Sequence, residues 1–212
     1  MVPTRSNISM LFVTNQMAER LRSVRSFSRF VIATVLLCSA SVVSANSQSL
    51  ATDLEGKVFD PFRAAAGKVV VLVFVRTDCP ISNRYAPTIQ QLAARSVNQA
   101  TFFLVYPSRK ETPEAIRRHE KDFGYTFAAV RDPQHILVKR SAAQITPETA
   151  VFNASGHLVY HGRIDNLYED FGHTRKTATT HELAEAIDAA IAGKSLVGRS
   201  TPAVGCYISD LE

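Results

Sequence analysis

The chain has 212 residues and a formal net charge of +5, a balance that hints at an anionic partner. Residues 1–45 hold five arginines against one glutamate, whereas residues 46–212 hold 19 basic and 18 acidic side chains. No nucleic-acid partner is predicted, because such binding needs a clustered basic face in the folded part. A hydrophobic content of 46% excludes a disordered chain. Three cysteines exclude a disulfide-dense scaffold and a four-cysteine zinc site.

The basic N-terminal segment has the pattern of a secretory signal. Four arginines precede an apolar run over residues 30–43, which small residues follow, so residues 1–45 are predicted to be a signal peptide cleaved after Ala45. Counting from Met17 instead of Met1 would give this signal a more usual length. The run is too short to span a bilayer, so no membrane span is expected after cleavage; an uncleaved anchor is the alternative. We expect an exported protein, periplasmic or at the cell surface, where disulfides persist.

The remaining chain predicts one α/β domain over residues 57–193, with a linker over 46–56 and a C-terminal tail over 194–212. A continuous β-branched run at 68–75 is typical of a strand buried on both faces. Capping residues before Pro113 begin one helix, and a Thr-x-x-Glu capping box before 182 begins another. The predicted strands are 68–75, 101–106, 127–130, 149–153 and 157–164, and the predicted helices are 81–96, 113–123, 133–140 and 182–191. This order predicts a central mixed β-sheet of about five strands flanked by helices.

Cys79 is the most informative residue, because it follows the first buried strand and begins the next helix. Helix N-termini carry unpaired N–H groups and the positive end of the helix dipole, which stabilise a thiolate. From its position Cys79 is a candidate nucleophile, with a small buried hydrophobic residue as the equal alternative. Thr146-Pro147 stands just before the strand at 149–153, where an ordinary trans proline in a loop is the alternative.

A cysteine at a strand-to-helix junction followed by a Thr-Pro before a hairpin resembles the thioredoxin superfamily. The similarity is greatest to its exported redoxin branch, which is grouped with alkyl hydroperoxide reductase and thiol-specific antioxidant proteins. It rests on residues 70–75, 79–87 and 146–147 and on the hairpin with Gly156. The resemblance implies a thioredoxin-like fold, with Cys79 as the attacking cysteine, Pro147 as a cis-proline and Pro87 as a helix kink. It also implies that the backbone of Thr146 pairs with an extended substrate chain.

The chain departs from the redoxin dithiol motif Cys-x-x-Cys, because Ser82 stands where the second cysteine would be. Ser82 shares a helix face with Cys79 and is expected to hydrogen-bond its thiolate, but it forms no disulfide. Similarity to exported redoxins that combine a Cys-Pro-Ile motif with a Gly-Cys-x-Ile tail implies that Cys206 resolves Cys79 as a disulfide. A structural or an intermolecular bridge through Cys206 is the alternative.

Two other activities of this superfamily fit the sequence less well. Peroxiredoxins carry Pro-x-x-x-Thr-x-x-Cys, whereas here Leu72 and Arg76 stand at the proline and threonine positions. Arg76 is expected either to lower the pKa of the Cys79 thiol or to be a solvated loop charge. Copper-assembly proteins use Cys-x-x-x-Cys with a distant histidine, but here residue 83 is Asn83. His157, His161 and His173 are therefore interpreted as ordinary polar residues, and no metal or other cofactor is predicted.

These features together predict an exported thiol–disulfide oxidoreductase of the redoxin type. The predicted catalytic residues are Cys79 and Cys206, and the predicted substrate-binding residues are Thr146, Pro147, Ser82 and Arg76. The expected partners are protein thiols or disulfides, or peroxide, together with a redox partner protein. A peroxiredoxin-like thiol peroxidase with antioxidant activity is the first alternative, and a non-catalytic or copper-binding module on the same fold is the second.

Overall fold

The computed structural model describes residues 51–194 and 199–209, so the predicted signal peptide lies outside the described residues. The strands are β1 Ala51–Thr52, β2 Val58–Phe59, β3 Val69–Phe74, β4 Ala100–Tyr106, β5 Ala129–Arg131, β6 Ile145–Thr146, β7 Glu148–Phe152, β8 Leu158–Gly162, β9 Tyr168–Asp170, β10 His173–Thr174, β11 Arg199–Thr201 and β12 Cys206–Tyr207. The helices are α1 Pro61–Ala64, α2 Pro80–Arg84, α3 Ala86–Ser96, α4 Pro113–Phe123, α5 Ile136–Ser141 and α6 Glu182–Ile191.

Eight of the described strands form one mixed sheet in the order β11-β8-β7-β3-β4-β5-β1-β2. Strands β3, β4 and β5 are parallel, whereas β7 is antiparallel to both of its neighbours, β3 and β8. The five central strands, β8-β7-β3-β4-β5, are those that the sequence predicts, and the predicted α/β class with a central mixed sheet is confirmed. Short strands β6 and β12 pair with each other outside this sheet.

Strand β3 joins the two layers of the core, because all six of its residues are buried. Its side chains alternate between the faces of the sheet, as the pleat requires. Val71 and Val73 belong to the buried cluster that contains Ile89 of α3, and Leu72 belongs to the opposite cluster, with Leu137 of α5. Burial on both faces fixes the register of β3 in the sheet, so the position of the loop that follows β3 is also well defined.

The helix predicted over 81–96 is two helices, α2 and α3, joined at Tyr85. Pro87 is the second residue of α3, and proline lacks the N–H that would continue the hydrogen bonding of the preceding turn. The helix α4 is confirmed from Thr112, whose hydroxyl accepts a hydrogen bond from the Ala115 N–H, to Gly124, which has a φ of 68°.

The predicted capping box before α6 does not form, and this prediction is wrong. His181 is the N-cap of α6 and makes no side-chain capping hydrogen bond. The Glu182 carboxylate instead accepts hydrogen bonds from Arg163, and the Thr179 hydroxyl accepts one from Asn166 at 2.8 Å. Partners distant in sequence therefore take both side chains that the box would use.

Three short strands lie in the segments that the sequence predicts to be a linker and a tail. Strand β1 lies in the segment predicted to be a linker and pairs with β2 and β5. Strands β11 and β12 lie in the predicted tail, and β11 pairs in parallel with β8. Gly162 permits this pairing, because a Cβ there would lie 2.4 Å from the carbonyl oxygen of Thr201. Pairings of two or three residues leave no periodic pattern of apolar residues, so the sequence does not reveal them.

Candidate active site

Cys79 lies between the end of β3 and the start of α2, at the junction that the sequence predicts. It is the N-cap of α2, and its side chain is fully buried, with 0% exposed. The Asn83 N–H donates to the Cys79 carbonyl oxygen at 3.0 Å, which is the first hydrogen bond of the helix. The Cys79 thiol donates to the carbonyl oxygen of Thr146 at 3.1 Å. The nucleophile candidate is therefore in contact with the backbone of a second loop.

This second loop contains a cis peptide bond between Thr146 and Pro147, the geometry that the resemblance implies. A buried carboxylate holds the loop in shape. Glu148 accepts hydrogen bonds from the N–H groups of Gln144 at 2.8 Å and Ile145 at 3.2 Å. Because Glu148 also lies in β7 beside β3, it ties the loop to the strand that leads to Cys79. The sequence did not predict this role of Glu148.

Cys206 is brought to Cys79 by strand pairing. Strand β12 is antiparallel to β6, with Cys206 opposite Thr146. The Thr146 hydroxyl donates to the Cys206 carbonyl oxygen at 3.3 Å, and the Ile208 N–H donates to the Gln144 carbonyl oxygen at 2.9 Å. Backbone groups thus fix the tail against the cis-proline loop and direct the Cys206 side chain toward Cys79.

Gly205 is required for this approach for a steric reason. A Cβ at this position would lie 2.1 Å from the Thr146 carbonyl oxygen and 2.7 Å from its carbon. Distances this short are impossible for real Cβ atoms, and both neighbours are backbone atoms that cannot turn away. The glycine before Cys206 therefore does not act as a flexible joint; it allows the tail backbone to lie directly on Thr146.

The pKa values of the two thiols shift in opposite directions. Burial of Cys79 opposes ionisation, but hydrogen bonds from the Cys206 thiol and from the hydroxyl and N–H of Ser82 outweigh it, so the pKa of Cys79 is lowered. The Ser82 hydroxyl is buried and makes no hydrogen bond among the described residues, so it is free to donate to a thiolate on Cys79. It lies in the first turn of α2, where a thiol at a helix N-terminus finds its donors.

The pKa of Cys206 shifts in the opposite direction to that of Cys79. Burial, its hydrogen bond to Cys79 and the negative charge of a Cys79 thiolate raise the pKa of Cys206 to about 12. Both are free thiols in the structure, Cys79 buried and Cys206 half-buried. Of the two thiols, Cys79 is therefore the more acidic, and Cys206 is the one that holds its proton more tightly.

Arg76 lies in the loop before Cys79, but its guanidinium is paired with Asp78 at 2.8 Å. It is not among the main causes of the lowered pKa of Cys79, and its charge slightly opposes the rise in the pKa of Cys206. Pairing with Asp78 weakens the charge that Arg76 presents to its surroundings. An effect of Arg76 on the Cys79 thiolate stays a prediction.

A buried hydrogen-bond network lies behind α2, and the sequence did not predict it. The His119 ring bonds the Tyr106 hydroxyl at 2.8 Å on one side and the Asn83 side-chain oxygen at 2.8 Å on the other. Asn83 in turn donates to the Thr77 carbonyl oxygen at 3.2 Å. This chain of contacts fixes the loop that carries Cys79. Its one sequence signal is that His119 lies three residues after Ile116, on the buried face of α4.

A carboxylate supports the same loop from the other side. Glu111 accepts a hydrogen bond from the Thr77 N–H at 2.6 Å, and burial is the main cause of the raised pKa of Glu111. At the end of α2, the hydroxyl of its C-cap residue Tyr85 donates to the buried Asp165 carboxylate at 2.6 Å. Buried polar groups thus hold the Cys79 segment at both of its ends.

Within residues 51–194 and 199–209, no group of three or more His, Cys, Asp or Glu side chains is arranged to hold a metal ion. His157 and His173 are exposed, and His161 lies 3.4 Å from Glu148. In the same part of the chain, no helix is long and apolar enough to cross a membrane.

A buried cysteine at the end of the central strand β3, with a cis Thr-Pro loop beside it on a mixed sheet flanked by helices, defines a thioredoxin-like protein. Two solved structures share this fold at a TM-score of 0.64. One is a hypothetical protein from Sinorhizobium meliloti, at 22% identity over 74% of this chain and 88% of that chain. The other is an uncharacterized conserved protein from Geobacillus kaustophilus, at 21% identity over 75% of this chain and 86% of that chain.

The model of the Redoxin family matches residues 39–178, and the chain belongs to this family. No curated protein matches the chain. A secreted disulfide oxidoreductase from Mycobacterium tuberculosis is a more distant structural match, with 21% identity and a TM-score of 0.46 over 68% of this chain and 93% of that chain. The residues that match the Redoxin family model include Cys79 and the cis-proline loop, whereas Cys206 lies beyond that match.

Proposed function

We propose that this protein is an exported thiol–disulfide oxidoreductase in which Cys79 is the nucleophile and Cys206 is the resolving thiol. One observation carries the proposal: Cys206 pairs opposite Thr146, whose carbonyl oxygen accepts the hydrogen bond of the Cys79 thiol, so the two thiols meet at one residue. Their interaction lowers the pKa of Cys79 and raises that of Cys206. A dithiol–disulfide cycle needs one thiolate to attack and one nearby thiol to follow.

The proposed reaction has two exchange steps. The Cys79 thiolate attacks one sulfur of a substrate disulfide, forms a mixed disulfide and expels the other substrate sulfur as a thiolate. Cys206 then gives its proton to that thiolate and attacks the Cys79 sulfur. The second substrate thiolate leaves, and a Cys79–Cys206 disulfide remains. The substrate gains two electrons, and the dithiol of a partner protein later restores them to the enzyme.

The electrostatics of the pair put these steps in order. The negative charge of Cys79 is one cause of the raised pKa of Cys206. When Cys79 forms a mixed disulfide it loses that charge, and the pKa of Cys206 falls. Cys206 therefore becomes a nucleophile only after the first step has taken place.

Export is proposed from the signal pattern of residues 1–45 and fits this chemistry, because disulfides persist in oxidising compartments. Within such a compartment, we propose protein thiols and disulfides as the substrates.

The decisive measurement is the intact mass of the purified protein before and after reduction. We expect the oxidised wild type to be lighter by two hydrogen atoms, with Cys79 and Cys206 linked in the peptide map. Cys79→Ser and Cys206→Ser should each lose this difference. An oxidised wild type without the internal link, or one joined to a second chain, would rule out the resolving role of Cys206.

Insulin reduction, peroxide consumption and copper titration, each on wild type and Cys79→Ser, distinguish the classes of function. We expect insulin reduction in wild type alone. Peroxide consumption without insulin reduction would favour a thiol peroxidase. Equal behaviour of the two proteins in all three assays would favour a non-catalytic module.

A further inference from the structure

The edge of β6 is occupied by this chain's own tail. Cys206 lies opposite Thr146, Tyr207 lies opposite Ile145, and the Ile208 N–H bonds the Gln144 carbonyl oxygen. Under the proposed function, this edge is where an extended substrate chain would pair through the backbone of Thr146. The tail and a substrate chain therefore compete for the same backbone groups.

We propose that the docked tail is an internal substitute for the substrate, and that its register defines the polypeptide that this edge binds. That ligand is an extended segment with glycine directly before the reacting cysteine and an aliphatic residue two positions after it. The inference rests on the proposed thiol–disulfide chemistry of Cys79 and adds to it the class of substrate.

The position before the cysteine is restricted by the wall of the site. At Gly205 a Cβ would lie 2.1 Å from the Thr146 carbonyl oxygen, and also 2.8 Å from the Cγ2 atom of Ile145. The restriction is one of space and not of backbone conformation, since the φ of Gly205 lies outside the left-handed region. A polypeptide with a larger residue at this position meets the same obstacle.

The two positions after the cysteine differ from each other. Tyr207 is 75% exposed, so the side chain directly after the cysteine meets no wall. Ile208 is 5% exposed and belongs to the same buried cluster as Ala143. Alternate residues of an extended chain point to opposite sides, so the site selects an apolar side chain at the second position and leaves the first free.

An external polypeptide reaches Cys79 only after the tail leaves the edge. With the tail docked, Cys79 is fully buried. Undocking breaks the pairing of β12 with β6, which is only two residues long and involves few hydrogen bonds. Each such bond contributes little net stability, so a competing strand of the same register is able to displace the tail.

The test uses full-length Cys206→Ser, in which Cys79 alone reacts, with and without Gly205→Val to undock the tail. The probe is the peptide Ala-Val-Gly-Cys-Tyr-Ile, whose cysteine is joined to 5-thio-2-nitrobenzoate by a disulfide. The Cys79 thiolate attacks the peptide sulfur, a Cys79–peptide disulfide forms, and coloured thionitrobenzoate leaves with the electron pair. A matched peptide has valine in place of glycine, and Ser209→Val in the exposed end of the tail is the control variant.

We expect the glycine peptide to react at least about tenfold faster with the undocked variant than with the docked one or the control. In the undocked variant, it should also react faster than the valine peptide by about the same factor. Equal rates for the two peptides, or for docked and undocked protein, would overturn the assignment. If the symmetrical small reagent, two thionitrobenzoates joined by a disulfide, also fails to react with Cys79, the proposed chemistry fails, and this inference with it.

A second measurement uses the wild-type chain and does not depend on whether Gly205→Val folds. The unreactive peptide with serine in place of cysteine should speed hydrogen exchange of the Ile208 amide, which the docked tail protects through Gln144. Unchanged exchange at saturating peptide, or equal acceleration by the valine peptide, contradicts the proposal.

Discussion

Cys79 and Cys206 are placed by regions of the molecule built in different ways. Cys79 follows a central strand that is buried on both faces and lies within the residues that match the Redoxin family. Cys206 lies in a two-residue strand beyond that match, held by backbone hydrogen bonds to one loop and by the space that Gly205 leaves. The first thiol is fixed by the core, and the second by an edge contact.

This contrast teaches that the proposed redox pair combines positions of very different local stability. Removing the core support of Cys79 would disturb the whole sheet, whereas the tail opens by breaking one short pairing. Elements with few buried contacts are those that move in function. The contrast is best examined by changes that affect the two regions separately.

The largest expected effect separates the roles of the two cysteines. We expect Cys79→Ser to lower turnover at least about a thousandfold, because the attacking atom is gone. Cys206→Ser should also lose turnover but still form one equivalent of mixed disulfide, since the first step needs Cys79 alone. Quenched single-turnover assays with mass spectrometry measure both. A variant lacking Cys79 that still traps substrate would reverse the assigned roles.

The next effect concerns the attachment of the tail. We expect Gly162→Ala to destabilise the protein by about 3 kcal/mol, for two reasons. The added Cβ would collide with the Thr201 backbone, and the φ of 144° at Gly162 is strained for any residue with a side chain. Gly172→Ala is the matched control, with a φ of 90° and open space around it, and should lose only about 1 kcal/mol. Urea unfolding followed by circular dichroism gives both values. Equal losses would mean that β11 contributes nothing to stability.

A smaller effect is expected at the loop where the two regions meet. Glu148→Gln keeps the shape of the side chain but replaces a charged acceptor of two N–H groups by a neutral one. We expect a loss of about 1 kcal/mol in the free energy of unfolding, since charge-assisted hydrogen bonds are the stronger kind. Glu148→Ala, which leaves both amides without an acceptor, should lose more. A Gln variant as unstable as the Ala variant would contradict this explanation.

The smallest effect tests the hydrogen bond that joins the two thiols. A thiol reacts as the thiolate, so the lowered pKa of Cys79 places the midpoint of its alkylation rate below that of an unperturbed cysteine. Cys206→Ala removes a donor to that thiolate and should move the midpoint upward by less than about one pH unit. Cys206→Ser supplies a hydroxyl donor and should keep it low. The pH dependence of iodoacetamide labelling at Cys79 measures these shifts, and identical midpoints would exclude the contact.

Much of the first region could be predicted from local patterns. The run at 68–75 predicts β3, since only a strand buried on both faces carries so many β-branched residues in sequence. The residues that begin and end α4 predict its bounds, because caps are local interactions. The position of Cys79 follows from these two kinds of signal.

The supports of the site could not be predicted in this way. Glu148, His119 and Glu111 act through partners between 3 and 36 residues away, and nothing in their own neighbourhoods marks them as more than polar residues. The capping box before α6 shows the converse, because a local pattern was overridden when Arg163 took the side chain of Glu182.

The sequence by itself determined the order of the central elements and the location of Cys79, because side-chain periodicity and helix capping act over a few residues. The charge of +5 belongs mostly to the first 45 residues and marks no binding surface. Only the tertiary structure decided that Cys206 reaches Cys79. This contact depends on backbone pairing and on a glycine with no room for a side chain, and neither leaves a pattern along the chain.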